Sequence, residues 1–154
     1  MIAIRRMSPV LVLVALVVGL AACGSSGGSN GPASSASSAP TGQPSLSGTK
    51  WVLQPDSLGV PVPGAVSITA DFTESQVSGN AACNNYSGGY TATSGGALTF
   101  GALATTLKAC EPAVSAAEQA YLGALGKVQT YAITGDVLTL SGEGGTALLQ
   151  YSRR

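Results

Sequence analysis

Few residues of this chain have the types and spacing that catalysis requires. The sequence contains no histidine, which excludes a Ser-His-Asp triad, a Cys-His pair and a histidine general base. Ser47-Gly48-Thr49-Lys50 has the S-x-x-K spacing of serine acylases, but the Lys-Thr-Gly and Ser-Asp-Asn motifs that accompany it in those enzymes are absent. We therefore expect a protein that is not an enzyme and that needs no cofactor.

The seven carboxylates are scattered along the sequence, and the simplest interpretation is that each is solvated. They are Asp56, Asp71, Glu74, Glu111, Glu118, Asp136 and Glu143. Because a carboxylate pair assembled by folding is invisible in a sequence, an enzyme of unrecognised mechanism remains one alternative.

The most definite chemistry belongs to Cys23. It directly follows Leu20-Ala21-Ala22, at the end of the 12-residue apolar run Pro9–Leu20. That run is shorter than the roughly 20 residues of a membrane-spanning helix, and Arg5 and Arg6 precede it as in a signal peptide. The arrangement resembles the lipobox of bacterial lipoprotein signal peptides.

This resemblance implies that residues 1–22 are a lipoprotein signal peptide, that cleavage occurs before Cys23, and that the Cys23 thiol carries diacylglycerol. We therefore expect a protein held by lipid at the extracytoplasmic face of the cell membrane, with more than one acyl chain for stable anchoring. Two alternatives stay open. One is an ordinary signal peptide with an unrelated cysteine, and the other is export by the twin-arginine route through Arg5-Arg6.

Residues 23–45 lack the pattern of a folded segment. Gly24 to Ser45 consists almost entirely of Gly, Ser, Ala and Pro, with no apolar period that could form a core. We interpret residues 23–45 as the lipidated cysteine followed by a flexible tether, whose end-to-end distance is roughly 25 Å. The folded domain is predicted to span residues 46–151.

Net charge narrows the classes of partner. Loss of Arg5 and Arg6 with the signal peptide leaves five basic and seven acidic residues, a formal balance of −2. Nucleic acid requires clustered positive charge, so we expect no such partner. The expected partners are the membrane, through the lipid on Cys23, and an envelope protein or small ligand of unknown identity.

Cys83 and Cys110 remain as an even pair once Cys23 is assigned to lipid. In an oxidising compartment such a pair is expected to form a disulfide. Closing a loop of about 28 residues would stabilise the fold by about 3–4 kcal/mol. Two free thiols are the alternative, whereas a zinc site is disfavoured because zinc needs about four Cys or His ligands.

Most of the predicted domain has the patterns of β-strands. In Ala65–Phe72 apolar residues occupy every second position, as in a half-buried strand. Gly79–Gly89 is predicted to be a loop because it is rich in Asn and Gly. Other predicted strands are Lys50–Gln54, Gln76–Ser78, Tyr90–Thr93, Ala97–Phe100, Val128–Thr134, Val137–Leu140 and Thr146–Tyr151.

One helix is predicted, at about Pro112–Gly126, where apolar residues such as Ala117 and Tyr121 recur in steps of three and four. Ser115 and Glu118 fit a capping box at its start, and Pro112 at the first helical position is the other start signal. Many strands, short connections and one late helix predict the α+β class. The expected architecture is a single domain with a curved, barrel-like antiparallel β-sheet and one packed α-helix.

Four sequence blocks also match a known family in order and spacing. They are Leu46-Ser-Gly-Thr-Lys-Trp-Val-Leu53, Gly79-Asn-Ala-Ala-Cys-Asn-Asn-Tyr-Ser-Gly-Gly-Tyr90, Leu98–Cys110 and Glu118–Leu140. Together they resemble the META domain of the heat-inducible HslJ-type lipoproteins. The resemblance implies a curved antiparallel sheet with a packed helix and an envelope lipoprotein connected with stress or antibiotic tolerance. It carries over no catalytic residues.

The second block predicts a possible contact surface. Asn84, Asn85, Tyr86 and Tyr90 form the candidate interaction loop, because loops on a rigid scaffold often carry function. The alternative is a structural role, with the asparagines bonding nearby backbone as turn residues do. Ala82 stands where the family usually has Gly, which predicts an altered loop backbone because Ala rarely adopts positive φ.

The function expected from the sequence is therefore that of a membrane-anchored interaction or stress-protective domain. A small-ligand or lipid carrier that uses the interior or mouth of the curved sheet is the alternative. The large aromatic residues are predicted to belong to the core rather than to a ligand platform: Trp51, Phe100, Tyr121 and Tyr131.

Overall fold

The short connections of the sequence produce an antiparallel meander in the computed structural model, which describes residues 42–154. The strands are β1 (Lys50–Leu53), β2 (Thr69–Phe72), β3 (Gln76–Asn80), β4 (Asn85–Ala92), β5 (Leu98–Thr105), β6 (Thr130–Thr134), β7 (Val137–Ser141) and β8 (Ala147–Arg153). Helix α1 spans Pro112–Leu125. The sheet order is β5-β4-β3-β2-β1-β8-β7-β6, which confirms the α+β class, the curved antiparallel sheet and the helix.

The sheet curls until its two outer strands meet at one end. The Leu98 amide at the start of β5 donates to the Gln129 carbonyl at 2.9 Å, and the Tyr131 amide in β6 donates to the Gly96 carbonyl at 2.8 Å. Twist accumulates across eight strands, and these two bonds join the edges into a half-barrel.

Side chains from strands and helix occupy the interior of the curl. Trp51 in β1 is fully buried and donates from Nε1 to Thr49 Oγ1 at 2.7 Å. Three of the four predicted core aromatics are buried, and Phe100 is half-buried against the same core. The largest fully buried side chains include Trp51, Tyr121, Tyr151, Leu46, Ile68, Leu98, Leu125, Leu138, Leu140 and Leu149.

Helix α1 begins at Pro112, with Glu111 as the preceding cap residue. Proline suits this position because its missing N–H would have had no partner inside the helix. The capping box predicted from Ser115 and Glu118 is therefore wrong. The Ser115 amide donates to the Glu111 carbonyl within the first turn, and the Glu118 carboxylate accepts bonds from Asn84 instead.

The predicted loop Gly79–Gly89 is wrong over much of its length, because β4 begins at Asn85 and pairs with β3 on one side and β5 on the other. Gly88 is a strand residue here. A Cβ at Gly88 would lie 2.7 Å from the Ala102 carbonyl oxygen, so the glycine marks a close approach of two strands and not a turn.

The predicted strand Ala65–Phe72 is longer than the observed β2, Thr69–Phe72. Its first part forms a turn in which the Val66 amide donates to the Pro63 carbonyl at 2.9 Å. The other predicted strands are present, with ends that differ by a few residues, and β8 continues to Arg153.

Cys23, the predicted signal peptide and most of the predicted tether lie outside the described residues. Within residues 42–154, no helix has both the length and the apolar character needed to cross a membrane. The described chain begins beside the β4–β5 turn, where the Gln43 amide donates to the Ser94 carbonyl at 2.7 Å.

Candidate functional site

The connection between β3 and β4 is bonded to two other segments of the domain. Cys83 in this connection is bonded to Cys110, with the two Cα atoms 6.0 Å apart, so the predicted disulfide is present. The bond ties the loop to the segment between β5 and helix α1. The loop therefore sits where a sheet, a linker and a helix meet.

The side chain of Asn84 joins all three of these segments and is only 5% exposed. Its Oδ1 accepts hydrogen bonds from Thr106 Oγ1 and from the Lys108 amide, both at 2.8 Å. The backbone amide of Asn84 donates to Glu118 Oε2 at 2.6 Å, and the side-chain Nδ2 of Asn84 donates to Glu118 Oε1 at 3.0 Å. One residue thus binds both oxygens of a carboxylate through charge-assisted bonds. We call Asn84, Thr106, Lys108 and Glu118 the Asn84 node.

A second polar group, the tyrosine chain, connects the helix to the sheet inside the core. Tyr86 donates to the Thr69 carbonyl at 3.0 Å, its hydroxyl lies 2.8 Å from that of Tyr121, and Tyr151 donates to Tyr121 at 3.1 Å. Each hydroxyl has one proton. Because a carbonyl only accepts, the donation runs from Tyr151 to Tyr121, then to Tyr86, then to Thr69.

Burial is the largest cause that raises the pKa of Tyr86, Tyr121 and Tyr151 well above the ordinary tyrosine value, and repulsion between neighbouring tyrosinates raises it further. The hydrogen bond with Tyr86 lowers the pKa of Tyr121, and the one with Tyr121 lowers that of Tyr151, but burial dominates. The tyrosines of the chain are therefore neutral at physiological pH, as hydroxyl donors must be. None of the buried side-chain polar atoms in residues 42–154 lacks a hydrogen-bond partner. The polar groups of the interior are thus used to hold the fold.

The two connections follow from the periods of a strand and a helix. Asn84 and Tyr86 are two residues apart and share one side of an extended chain. Glu118 and Tyr121 are three residues apart and share one face of α1. The helix face therefore contacts the start of β4 twice, through a charged pair near the rim and through a neutral pair in the core.

The structure divides the four residues of the candidate interaction loop. Asn84 and Tyr86 point into the fold, where they are buried. The Asn84 side chain has a structural role, but its partners are Thr106, Lys108 and Glu118, which are distant in sequence, and not the nearby backbone of a turn. Asn85 is exposed at the start of β4, and Tyr90 is half-buried five residues later. Since side chains alternate along a strand, Asn85 and Tyr90 lie on opposite sides of β4. A partner contact at either one stays a prediction.

Tyr90 lines an open surface cleft of about 350 Å³. Its hydroxyl donates to the Thr73 carbonyl at 2.7 Å, and its ring meets that of Phe72 edge-on, with centroids 5.2 Å apart. Glu74 and Leu46 also line the cleft. The cleft is mixed in polarity and lies at the surface, away from the Asn84 node.

Ala82 has a φ of 102°, the one positive value among the non-glycine residues of the described chain. The expectation that Ala avoids positive φ at this position is therefore wrong, because Ala82 adopts a conformation that glycine admits more readily. The Ala82 amide donates to Asn80 Oδ1 at 2.9 Å, which helps to hold that conformation. Within residues 42–154, no group of three or more Cys, Asp or Glu side chains lies close enough to hold a metal ion.

Comparison with known proteins gives a consistent result. The model of the META domain family matches residues 44–154. An NMR structure of a protein from Burkholderia xenovorans is 32% identical with a TM-score of 0.57, over 71% of this chain and 83% of that one. A second NMR structure is 27% identical with a TM-score of 0.54, over 70% of this chain and 90% of that one.

A crystal structure of a DUF4847 family protein from Bacteroides vulgatus ATCC 8482 shares the fold alone. Its TM-score is 0.52 at 11% identity, over 70% of this chain and 93% of that one. A comparison with curated proteins finds no match.

Proposed function

Because the chain belongs to the META domain family, we propose that it is a lipoprotein held by Cys23 at the extracytoplasmic face of the cell membrane, where its domain acts by binding and not by catalysis. The observation that carries this proposal is the sequence Leu20-Ala21-Ala22-Cys23 at the end of a 12-residue apolar run. Small residues followed by cysteine at this point are what lipid transfer to a thiol requires.

Two further features support the extracytoplasmic location. The first is the uncharged Gly24–Thr41 segment, which has the composition of a flexible spacer and precedes the residues that bond to the domain from Gln43 onward. The second is the Cys83–Cys110 disulfide, since disulfides persist in oxidising compartments and are rare in the cytosol.

A binding role is supported by the way the domain uses its polar side chains. The carboxylate of Glu118 is engaged by Asn84, and the hydroxyls of Tyr86, Tyr121 and Tyr151 bond to one another. An enzyme site instead keeps polar groups free to converge on a substrate. Side chains also occupy the interior of the curl, which counts against a carrier with an enclosed ligand.

The anchoring is tested by cell fractionation of the full chain and its Cys23→Ser variant, with Ser25→Ala as the matched control beside the cleavage point. We expect the parent and the control to sediment with membranes and to incorporate labelled palmitate. The Cys23→Ser variant should incorporate none, and it should keep the melting temperature of its domain because Cys23 lies outside the fold. Equal palmitate incorporation by all three proteins would overturn the proposal.

The physiological part of the proposal is a role in envelope stress or antibiotic tolerance, as the family resemblance implies. A strain lacking the protein should survive heat and envelope-directed antibiotics less well than its parent. Complementation by the parent chain should restore survival, and complementation by Cys23→Ser should not. Full rescue by the unanchored variant would show that membrane placement is irrelevant to the role.

A further inference from the structure

The two edge strands of the sheet, β5 and β6, differ in whether their outward backbone groups are hydrogen-bonded. On β6 the outward amides are occupied, since Tyr131 donates to Gly96 and Ile133 donates to Gln43 Oε1 at 2.9 Å. On β5 the Leu98 amide is bonded outward, but no outward backbone bond follows it as far as Thr105 in the described part of the chain. The exposed residues of this stretch include Thr99, Gly101, Ala102, Ala104 and Thr105.

The β5 edge also lacks the usual devices that prevent strands from pairing with other chains, which are charged side chains and proline. No charged residue and no proline occurs between Glu74 and Lys108. One device is present, a register shift between Phe100 and Leu103, which limits the regular edge to Leu103–Thr105. Any strand added here therefore makes a short contact.

Leu107 extends this edge and is 96% exposed. Its two neighbours are both fixed by Asn84, which accepts bonds from Thr106 Oγ1 and from the Lys108 amide. The Asn84 node thus holds a large apolar side chain outward on a rigid segment. Because the backbone on both sides of Leu107 is already fixed, a partner that covers it does not have to order this segment of the chain.

Gly101 lies at the register shift, between Phe100 and Leu103, and glycine within a strand often marks such a bulge. The glycine therefore belongs to the feature that shortens this edge. The residues of the edge that keep a regular register are Leu103, Ala104 and Thr105.

From these features we propose that β5 pairs antiparallel with β5 of a second copy of this chain, about a twofold axis at Ala104. In that register Leu103 of each copy lies opposite Thr105 of the other, which uses the whole regular edge, and Leu107 lies just beyond the paired residues. An uncharged edge pairs with itself without opposing like charges, and a twofold contact closes on itself instead of forming fibres.

The short edge predicts weak association in dilute solution. Two copies held on one membrane are confined to a thin layer, which raises their effective concentration. The strength of pairing in membranes rests on the anchoring proposed above, whereas the pairing surface itself does not.

Disulfide crosslinking of the full chain in isolated membranes tests the pairing. Ala104→Cys places one thiol on the axis, and Thr134→Cys on β6 is the matched control at an exposed position. Mild oxidation should give a crosslinked dimer with Ala104→Cys and little with Thr134→Cys. Equal yields, no dimer, or a crosslink to a different protein would each overturn the proposal.

Introducing a charge at Ala104 gives a second test that needs no new thiol. Ala104→Lys in both copies should weaken their association by up to about fivefold, as for like charges placed directly opposite. Energy transfer between fluorescently labelled copies measures this association. Mixing the Ala104→Lys chain with the Ala104→Glu chain should restore it, with melting temperatures unchanged. Unaltered transfer in the lysine variant would contradict the pairing.

The anchoring and the pairing can fail independently. Repeating the crosslinking with Cys23→Ser protein at high concentration separates the two cases. A dimer of the Cys23→Ser protein, together with no palmitate on the parent chain, supports the pairing of β5 strands and refutes the lipid anchor. If the parent chain incorporates palmitate but yields no dimer in membranes, the lipid anchor is supported and the pairing of β5 strands is refuted.

Discussion

The two connections from helix α1 to the start of β4 differ in chemistry although they lie one helical turn apart. Near the rim, the Glu118 carboxylate binds the amide and the side chain of Asn84. In the core, the Tyr121 hydroxyl bonds those of Tyr86 and Tyr151. The first is ionic and partly reached by solvent, whereas the second is neutral and dry.

This difference shows how the domain distributes its polar groups. A charged group stays close to water, where desolvation costs little, and hydroxyls without charge span the interior. The rim connection also fixes the linker that displays Leu107, so it supports the surface as well as the fold. The core connection supports the fold alone.

Alkaline pH should break the core connection with the largest effect. An unfolded tyrosine ionises near pH 10, whereas burial raises the pKa of Tyr86, Tyr121 and Tyr151 above that value. Below pH 10 folded and unfolded chains hold the same tyrosine protons. Above it only the unfolded chain loses them, so the free energy of unfolding should fall by about 4 kcal/mol per pH unit for three groups.

Denaturant titrations between pH 8 and pH 11 measure this slope. Tyr151→Phe removes one of these ionisable groups and should reduce the slope above pH 10 by about 1.4 kcal/mol per pH unit. A slope that Tyr151→Phe leaves unchanged would place the alkaline sensitivity elsewhere.

The adjacent asparagines provide the sharpest test of the rim connection. Asn84→Ala removes the acceptor of Thr106 and Lys108 and the side-chain donor to Glu118, while the backbone donor to Glu118 stays. The change should lower the free energy of unfolding by about 3 kcal/mol. Asn85→Ala, at an exposed neighbour, should change it by less than about 0.5 kcal/mol. Equal losses in chemical denaturation would mean that the Asn84 contacts do not set the stability of the loop.

The direction of the tyrosine chain predicts unequal costs for removing single hydroxyls. Tyr86→Phe leaves the Tyr121 donor and the Thr69 carbonyl without their partner, at a cost of about 2 kcal/mol. Tyr151→Phe leaves no donor unpaired and should cost less than about 1 kcal/mol. Thermal unfolding at neutral pH compares the two, and a larger loss for Tyr151→Phe would reverse the assigned direction.

The smallest expected effect is an increase in the free energy of unfolding. Ala82 holds a φ of 102°, a conformation that costs a side-chain-bearing residue about 1–3 kcal/mol. Ala82→Gly should raise the free energy of unfolding by about 1 kcal/mol, since glycine also loses more backbone entropy on folding. Ala81→Gly, in the same loop but buried at ordinary φ, is the control and should destabilise.

Local patterns predicted much of this fold. Pro112 and the apolar stripe placed the helix within a residue of its ends, and cysteine counting paired Cys83 with Cys110. The start of β4 was missed because Gly88 reads as a turn residue, although the structure uses its missing Cβ to bring two strands together. Only the packed sheet supplies that information.

The candidate site was harder to predict than the fold. Glu118 looked like a capping residue because Ser115 lies three positions before it, but its partner Asn84 is 34 residues away in sequence. No local pattern connects them. The resemblance selected the right loop, but which of its side chains point inward depends on the register of β4 against its neighbours.

We propose that Cys23 holds a self-contained domain at a membrane, and the intact mass of the mature protein tests this anchoring most directly. We predict a chain that begins at Cys23, carries diacylglycerol on that residue, and gains two hydrogens on reduction as Cys83–Cys110 opens. A mature chain that begins elsewhere, or an unmodified Cys23 thiol, would contradict it.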